Sequence, residues 1–323
     1  MSWFLPHNFK EKRAILEKRM AIIKALRSFF DDQGFYEVQT PILQACPTFD
    51  THIHGFAVEG GEYLRSSPEF DMKKLLVAGV ENLYQIGSSF RKGERTRLHR
   101  PEFTMIEWYR RGKDYAALME DCQAILRNVA STYQYGGHVC DPNQEWEIIS
   151  VAQAFQTYAN IDLAQCLKGT KEFANQASAI GIRTIETDHW DDIFHAVMAE
   201  KIEPHLGMTA PCILKDYPIS MAALSRPKAD DPRYAERFEL YVCGVELANA
   251  FSELTDVQEQ KRRFAEDMAV KQRLYDRSYP PDEDFFTALE HGLPECTGIA
   301  LGIDRLVMLA CGVEDIKDVL WCE

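Results

Sequence analysis

Long apolar runs are missing from this chain. None approaches the roughly 20 residues that a membrane-spanning helix needs, so no spanning segment is expected. The N-terminal MSWFLPHNFKEKR has no apolar stretch behind a basic start and does not read as a secretory signal. Paired cysteines are missing too: the nine cysteines are scattered, odd in number and without a Cys-x-x-Cys spacing. Zinc sites and disulfide frameworks need close or paired spacing, so buried thiols in a reducing, cytoplasmic setting are expected. Basic charge is scarce, with 36 Lys and Arg against 50 Asp and Glu and a formal charge of −14. Phosphate contacts dominate nucleic-acid affinity, so this imbalance argues against RNA or DNA as the main partner. No internal repeat or low-complexity tract stands out.

What is present is the composition of a soluble globular protein, 46% apolar and 27% charged over 323 residues. Ile15, Ile22, Leu26, Phe29 and Phe30 recur near helical spacing behind a capping-box pair, Asn8 and Glu11, with Gly34 as a stop. Residues 35–39 read as a strand. Ser67-Pro68-Glu69 opens a helix, with Ser as cap and Pro at its first position. Residues 83–87 form a short strand, and Asp114 caps a helix bearing Leu118, Cys122, Ile125 and Val129 on one face. More helices follow between 150 and 203. Residues 238–242 and 245–254 read as strands around Cys243-Gly244, 257–277 as a helix, 297–301 as a strand and 304–310 as a helix. Strands in hairpins and helices in blocks predict an α+β fold, an antiparallel sheet flanked by helices. We expect one domain over 1–323 with a helical insertion at about 113–235.

Three segments carry chemistry. The first, FRKGERTRLHRPEFTMIEWY, runs from Phe90 to Tyr109. Strand alternation puts Phe103, Met105, Glu107 and Tyr109 on one face, reached through a loop holding Arg91, Arg95, Arg97, His99 and Arg100. An aromatic plate, a carboxylate and a phenol beside arginines suit a ligand with a flat ring, phosphates and an amine. In the second segment, Asn249, Phe251 and Glu253 share a face, and Glu246 joins them only if a bulge intervenes near Ala248. Carboxylates converging on a sheet repel one another, and a phosphate-borne Mg²⁺ relieves that cost. The third places small residues, Gly298, Ala300 and Gly302, on one strand face and Arg305 in the first turn of the following helix. Each segment alone also fits an ordinary hairpin, edge strand or strand–helix junction.

Together the three segments resemble the catalytic core of the class II aminoacyl-tRNA synthetases. The helix with Gly34-Phe35-Tyr36-Glu37-Val38-Gln39-Thr40-Pro41 resembles that family's dimer-forming first signature, Phe90 through Tyr109 the second, and Gly302-Ile303-Asp304-Arg305 the third. Within the class the match is to lysyl-tRNA synthetase, on Ser67-Pro68-Glu69, His99 to Glu107 and Glu246 to Glu253. Only about thirty residues precede the first signature, so no anticodon-binding barrel is expected. A freestanding core of this kind resembles the elongation factor P lysyltransferases.

The resemblance implies an ATP-dependent ligase. It activates lysine, preferably (R)-β-lysine, as the adenylate and transfers it to a lysine of elongation factor P, with tRNA not the main substrate and a homodimer expected. By resemblance, Arg91 and Arg305 are catalytic, contacting the α- and γ-phosphates. Lys92, Gly93, Glu94, His99, Arg100, Phe103, Glu246, Leu247 and Gly302 join them around ATP. Ser67, Pro68, Glu69, Glu107, Tyr109, Asn249, Phe251, Glu253 and Ala300 line the amino-acid pocket. Glu239, Glu246 and Glu253 hold Mg²⁺. Two positions depart from the synthetase pattern: Lys92-Gly93-Glu94 stands where Asn-Glu is usual, and Ala300 where glycine is usual. The added methyl is expected to favour an amine on the β-carbon. A catalytically inactive regulatory subunit, a small-molecule amide ligase and tRNA charging without anticodon reading are the rival readings.

Overall fold

The computed structural model describes residues 5–222 and 224–322; the side chains of Asn8 and Glu11, the expected capping pair, lie outside the described residues. The first helix spans Pro6–Asp31, with its proline in the first turn, where a missing N–H costs nothing. Among the described residues no helix is long and apolar enough to cross a membrane.

The centre of the molecule is an eight-stranded sheet. Its order across the sheet is Tyr36–Glu37, Asn82–Phe90, Glu102–Arg111, Cys296–Gly302, Val245–Ser252, Tyr234–Val242, Cys212–Pro218 and Glu147–Ser150. The inner pairings are antiparallel and the two outermost strands pair in parallel. The Tyr234–Val242 and Val245–Ser252 strands meet in a two-residue turn with Cys243 at φ 52° and Gly244 at φ 72°. Two successive positive φ values match the twist of a tight hairpin, and glycine takes one of them without steric cost.

One face of the sheet buries Ile106, Trp108, Leu240, Val242, Ile299 and Leu301. The helices Pro6–Asp31, Tyr115–Val129 and Ile303–Cys311 pack there. Trp108 is wholly buried and donates its indole N–H to Asp121 at 2.9 Å; an apolar side chain of this size contributes about 3 kcal/mol by leaving water. The other face is left open at its centre. Its rim is an aromatic cluster, Phe49, Phe70, Phe264, Phe285 and Phe286, carried partly by the helices Glu69–Val77, Val257–Tyr275 and Glu283–Gly292.

The 113–235 stretch is more than a helical insertion. Its strands Glu147–Ser150 and Cys212–Pro218 extend the main sheet, and Tyr133–Tyr135 pairs with His138–Cys140 in a small hairpin. The Cys212–Pro218 strand is buried on both faces except at Lys215 and is bent at Asp216, φ 63°, so it carries no alternation to read. Its helices, Val151–Ala159, Thr170–Ala179 and Trp190–Val197 among them, close over a separate apolar cluster.

Candidate active site

Cross-strand register builds the floor of the open face. Gln85, Glu107, Ala300, Asn249 and Glu239 stand in one row across five strands. Tyr109, Gly298, Phe251 and Arg237 form the next row. A cleft of about 490 Å³ lies over these rows. Gly298 has to be glycine: a Cβ there would stand 2.3 Å from the Tyr109 ring and 2.5 Å from Glu253 Oε1.

The inner end of the cleft is acidic. Glu107 is 2% exposed and accepts from Ser67 Oγ at 2.5 Å and from Tyr109 Oη at 3.3 Å. Burial, then the Glu69 charge, push its pKa up to about 7 against the pull of Ser67, Lys73 and Tyr109. Ser67 Oγ also accepts from the Glu69 backbone N–H at 3.0 Å, so this one hydroxyl ties the helix start to the pocket. Lys73, one turn after Glu69 on the same helix, lies 2.5 Å from both Glu69 and Glu253 and 5.5 Å above the Phe251 ring. Burial lowers the pKa of Lys73, but Glu253 and Glu69 outweigh it and the net direction is up. Burial raises Glu253, which Lys73 opposes and Glu69 reinforces. A fully buried ammonium is tolerated only against an ionised carboxylate, which Glu69 and Glu253 both offer it, and Glu107, raised to about 7, holds a proton that is labile near neutrality. Glu253 Oε1 has no hydrogen-bond partner.

A cationic cluster adjoins the cleft at Arg91. The Arg91 guanidinium lies 5.1 Å from the Phe103 ring centroid, and its buried Nε has no partner. Arg305 donates to the Glu246 carbonyl at 2.6 Å, stands 3.5 Å from the Glu246 carboxylate and meets His99 Nε2 at 2.5 Å. Burial, Arg305 and Arg91 push His99 down to about 4. The imidazole is therefore neutral, with Nε2 accepting from Arg305 and Nδ1–H donating to Thr96 Oγ1 at 2.9 Å. Two arginines more than 200 positions apart in sequence thus act on one histidine, and both also act on Glu246.

Known proteins share this framework. The family model for class II tRNA synthetases (D, K and N) matches residues 4–321. The chain belongs to this family. It is 40% identical over 317 residues to the elongation factor P–(R)-β-lysine ligase of Proteus mirabilis, covering 95% of this chain and 94% of that one. The ligase of the same name from Yersinia enterocolitica is 39% identical over 317 residues, with the same coverage. That from Photorhabdus laumondii is 39% identical over 325 residues, covering 97% and 96%.

Within this family member, most expected site residues converge, and some do not. The bulge expected near Ala248 is present: the register slips between Leu240 and Tyr241, skipping Leu247 and turning Glu246 to the sheet face that bears Glu239 and Asn249. Leu247 itself is buried in the core on the other face, so its side chain is no part of a nucleotide site. Arg100 is not free for a nucleotide either; it bonds to Asp315 at 3.1 Å and to the His99 carbonyl at 3.0 Å, and holds the loop closed. Glu253 stands apart from Glu239 and Glu246, engaged with Lys73 instead of a metal. Pro68 caps the Glu69–Val77 helix rather than opening it. Lys92 donates its backbone N–H to the His54 carbonyl at 2.7 Å, and Gly93, at φ 91°, turns the loop. Glu94 is half-buried and has no hydrogen bond or ion pair among the described residues.

Three residues escaped the sequence reading. Lys73 was visible only as an i, i+4 partner of Glu69. Arg237 shares a strand face with Glu239, donates to it at 2.7 Å and to Asn249 at 3.0 Å, and stacks over Tyr217. Glu203 comes from the inserted stretch; burial, Glu239 and Glu246 push it up to about 7.

Proposed function

We propose that this protein uses ATP to activate lysine or (R)-β-lysine as the aminoacyl-adenylate and then transfers it to a lysine side chain of elongation factor P. The observation that carries this reading is the charge of the inner pocket. Three carboxylates, Glu69, Glu107 and Glu253, gather around the buried Lys73, with the Arg65 guanidinium acting on Glu107. With all of them ionised the carboxylates outnumber Lys73 by two, and a diamino acid brings two ammonium groups. Aspartate, the substrate of a small-amide ligase on this fold, would add negative charge to a buried acidic pocket. The names of the relatives support the same acceptor and product.

The substrate carboxylate is already ionised at neutral pH, so activation requires placement and charge neutralisation rather than a base. Arg91 and Arg305 are the cations for the triphosphate, Phe103 the plate for adenine, and His99, Gly302 and the Arg91–Glu94 loop complete that end. Both arginines are present, which argues against an inactive regulatory subunit. Glu239 and Glu246 raise the proton affinity of Glu203, and Glu239 raises that of Glu246, a crowding of like charge that a cation relieves. Among the described residues no group of three or more His, Cys, Asp or Glu forms a metal cage. This donor set fits Mg²⁺ held by one or two carboxylates and the phosphates of ATP, where it neutralises phosphate charge. Glu239 is already engaged by Tyr217, Tyr241 and Arg237, which leaves Glu246 as the freer ligand.

A homodimer through the first signature is supported by exposed apolar side chains in it and just after it, Tyr36, Ile42 and Leu43. Mass spectrometry of elongation factor P after incubation with this protein, ATP and each lysine isomer tests the whole reading. A gain of one lysyl unit on one residue is expected; unchanged elongation factor P together with charged bulk tRNA would overturn it.

A further inference from the structure

The outer mouth of the cleft is formed by the loop around His52 and by the helix Trp190–Val197 of the inserted stretch. Asp191 and His195 are four residues apart on that helix, so they share a face, and both line the cleft whose floor holds Glu107, Asn249 and Ala300. Nearly every other acid or base lining it is engaged. Glu259 and Glu266 pair with Arg262, Asp267 accepts from Thr51, Asp50 accepts from the His52 and Ile53 backbone, and His52 bonds to Tyr275. Glu69, Glu107 and Tyr109 belong to the inner pocket described above. Among the described residues, Asp191 and His195 are the cleft's carboxylate and imidazole without a hydrogen bond or an ion pair.

The second half of the proposed reaction has a requirement that the first lacks. An acceptor lysine arrives as an ammonium ion, with a pKa near 10.4, and cannot attack until it loses a proton. We infer that His195 takes that proton, with Asp191 one turn before it as countercharge to the imidazolium; this inference rests on the aminoacyl-transfer reading above. The acceptor ammonium gives one proton to the imidazole. Its nitrogen then forms a bond to the carbonyl carbon, the carbon–oxygen bond to phosphate breaks, and the electron pair leaves with AMP. The second proton passes from the new amide nitrogen to solvent. The ring of His195 is exposed to the cleft. Its charged neighbours are Asp191 on its own helix, His52 on the facing loop, and Glu239 and Arg237 on the sheet. Partial burial has the largest influence and lowers its pKa, Asp191 and Glu239 oppose, and the net direction is down, so a lone pair is open at neutral pH.

The test separates the two half-reactions in full-length His195→Gln, His195→Ala and Asp191→Asn proteins. Lysine-dependent ATP–pyrophosphate exchange reports activation and is expected within about twofold of wild type. Transfer from the preformed adenylate to elongation factor P is expected to slow on the order of 100-fold in the His195 variants, the scale for losing a positioned base, and to become steeply dependent on pH. Hydroxylamine, already neutral at pH 7, is expected to discharge the adenylate equally fast in variants and wild type. Normal transfer with an unchanged pH profile in His195→Gln, alongside normal exchange, overturns the inference. Absent exchange in the wild-type protein overturns the underlying reading instead.

Discussion

Lys73 Nζ lies 2.5 Å from Glu253 Oε2, and neither side chain has exposed surface. Removing one partner of such a pair leaves an uncompensated buried charge, whereas removing both leaves only a packing defect. Lys73→Met is expected to lose about 3–5 kcal/mol of stability in chemical denaturation. The double variant Lys73→Met/Glu253→Gln is expected to recover much of that loss, because the orphaned carboxylate is gone. Additive losses in the double variant would show that the two groups do not act as a pair.

Glu107 sets a pH dependence for substrate binding. Its pKa is pushed up to about 7 in the empty pocket, chiefly by burial. A cationic substrate binds the ionised form, so below pH 7 binding must expel a proton. The KM for lysine in ATP–pyrophosphate exchange should therefore rise about tenfold per pH unit as pH falls below 7, and level off above it. Glu107→Gln should abolish the break and weaken lysine binding by ~3 kcal/mol. A KM that is flat between pH 5.5 and 8 would remove Glu107 from the recognition of the ammonium.

The sequence displayed the strands that bear the site because alternation survives where one face is buried and the other lines a cleft. Met105, Glu107 and Tyr109 alternate with Ile106 and Trp108, and the structure puts the two sets on opposite faces. The Glu246 bulge was readable because Glu246 could not otherwise share a face with Asn249 and Glu253. What stayed hidden depended on tertiary context. Lys73 reads as a surface lysine of an amphipathic helix until Glu253, 180 positions later, is folded against it. Family resemblance alone puts Arg100 at the nucleotide, and only the fold brings Asp315 to it. The Cys212–Pro218 strand, buried on both faces, had no period to detect.

Arg91 and Arg305 make a stricter demand on the nucleotide end. Both lie near enough to His99 and Glu246 to influence their charge, so the two guanidinium groups are neighbours in the fold. Charge that develops on the α-phosphate and on the departing pyrophosphate needs fixed cations there. Arg91→Ala and Arg305→Ala are each expected to lower the rate of exchange by about 10²- to 10³-fold. Either variant retaining wild-type exchange would take that arginine out of the activation step.

Glu246 and Glu253 are distinguished by their surroundings. The Glu246 side chain is 43% exposed beside Arg305, while Glu253 is sealed behind Lys73. A carboxylate that holds Mg²⁺ must be able to reach it. Glu246→Gln should raise the Mg²⁺ concentration needed for half-maximal exchange several-fold. Glu253→Gln should leave that concentration unchanged while raising the KM for lysine. An equal shift in both variants would return Glu253 to the metal site.

Ala300 offers the sharpest test of substrate choice. Its Cα lies between those of Glu107 and Asn249 in the cross-strand row, so its methyl stands on the floor where the substrate's amine-bearing carbons would lie. A methyl there takes space from an amine on the α-carbon and leaves space for one moved a carbon further along the chain. A single methylene-sized difference in a pocket discriminates by about 1–3 kcal/mol, or roughly 10- to 200-fold. Ala300→Gly is therefore expected to shift the ratio of kcat/KM for (R)-β-lysine over α-lysine toward α-lysine by at least tenfold in the exchange reaction. The bonds among Glu107, Ser67 and Tyr109 do not involve the Ala300 side chain, so total activity with the better isomer should survive the change. An unaltered ratio would mean that the preference is set elsewhere, with Asn249 and its bond to Arg237 the next position to vary.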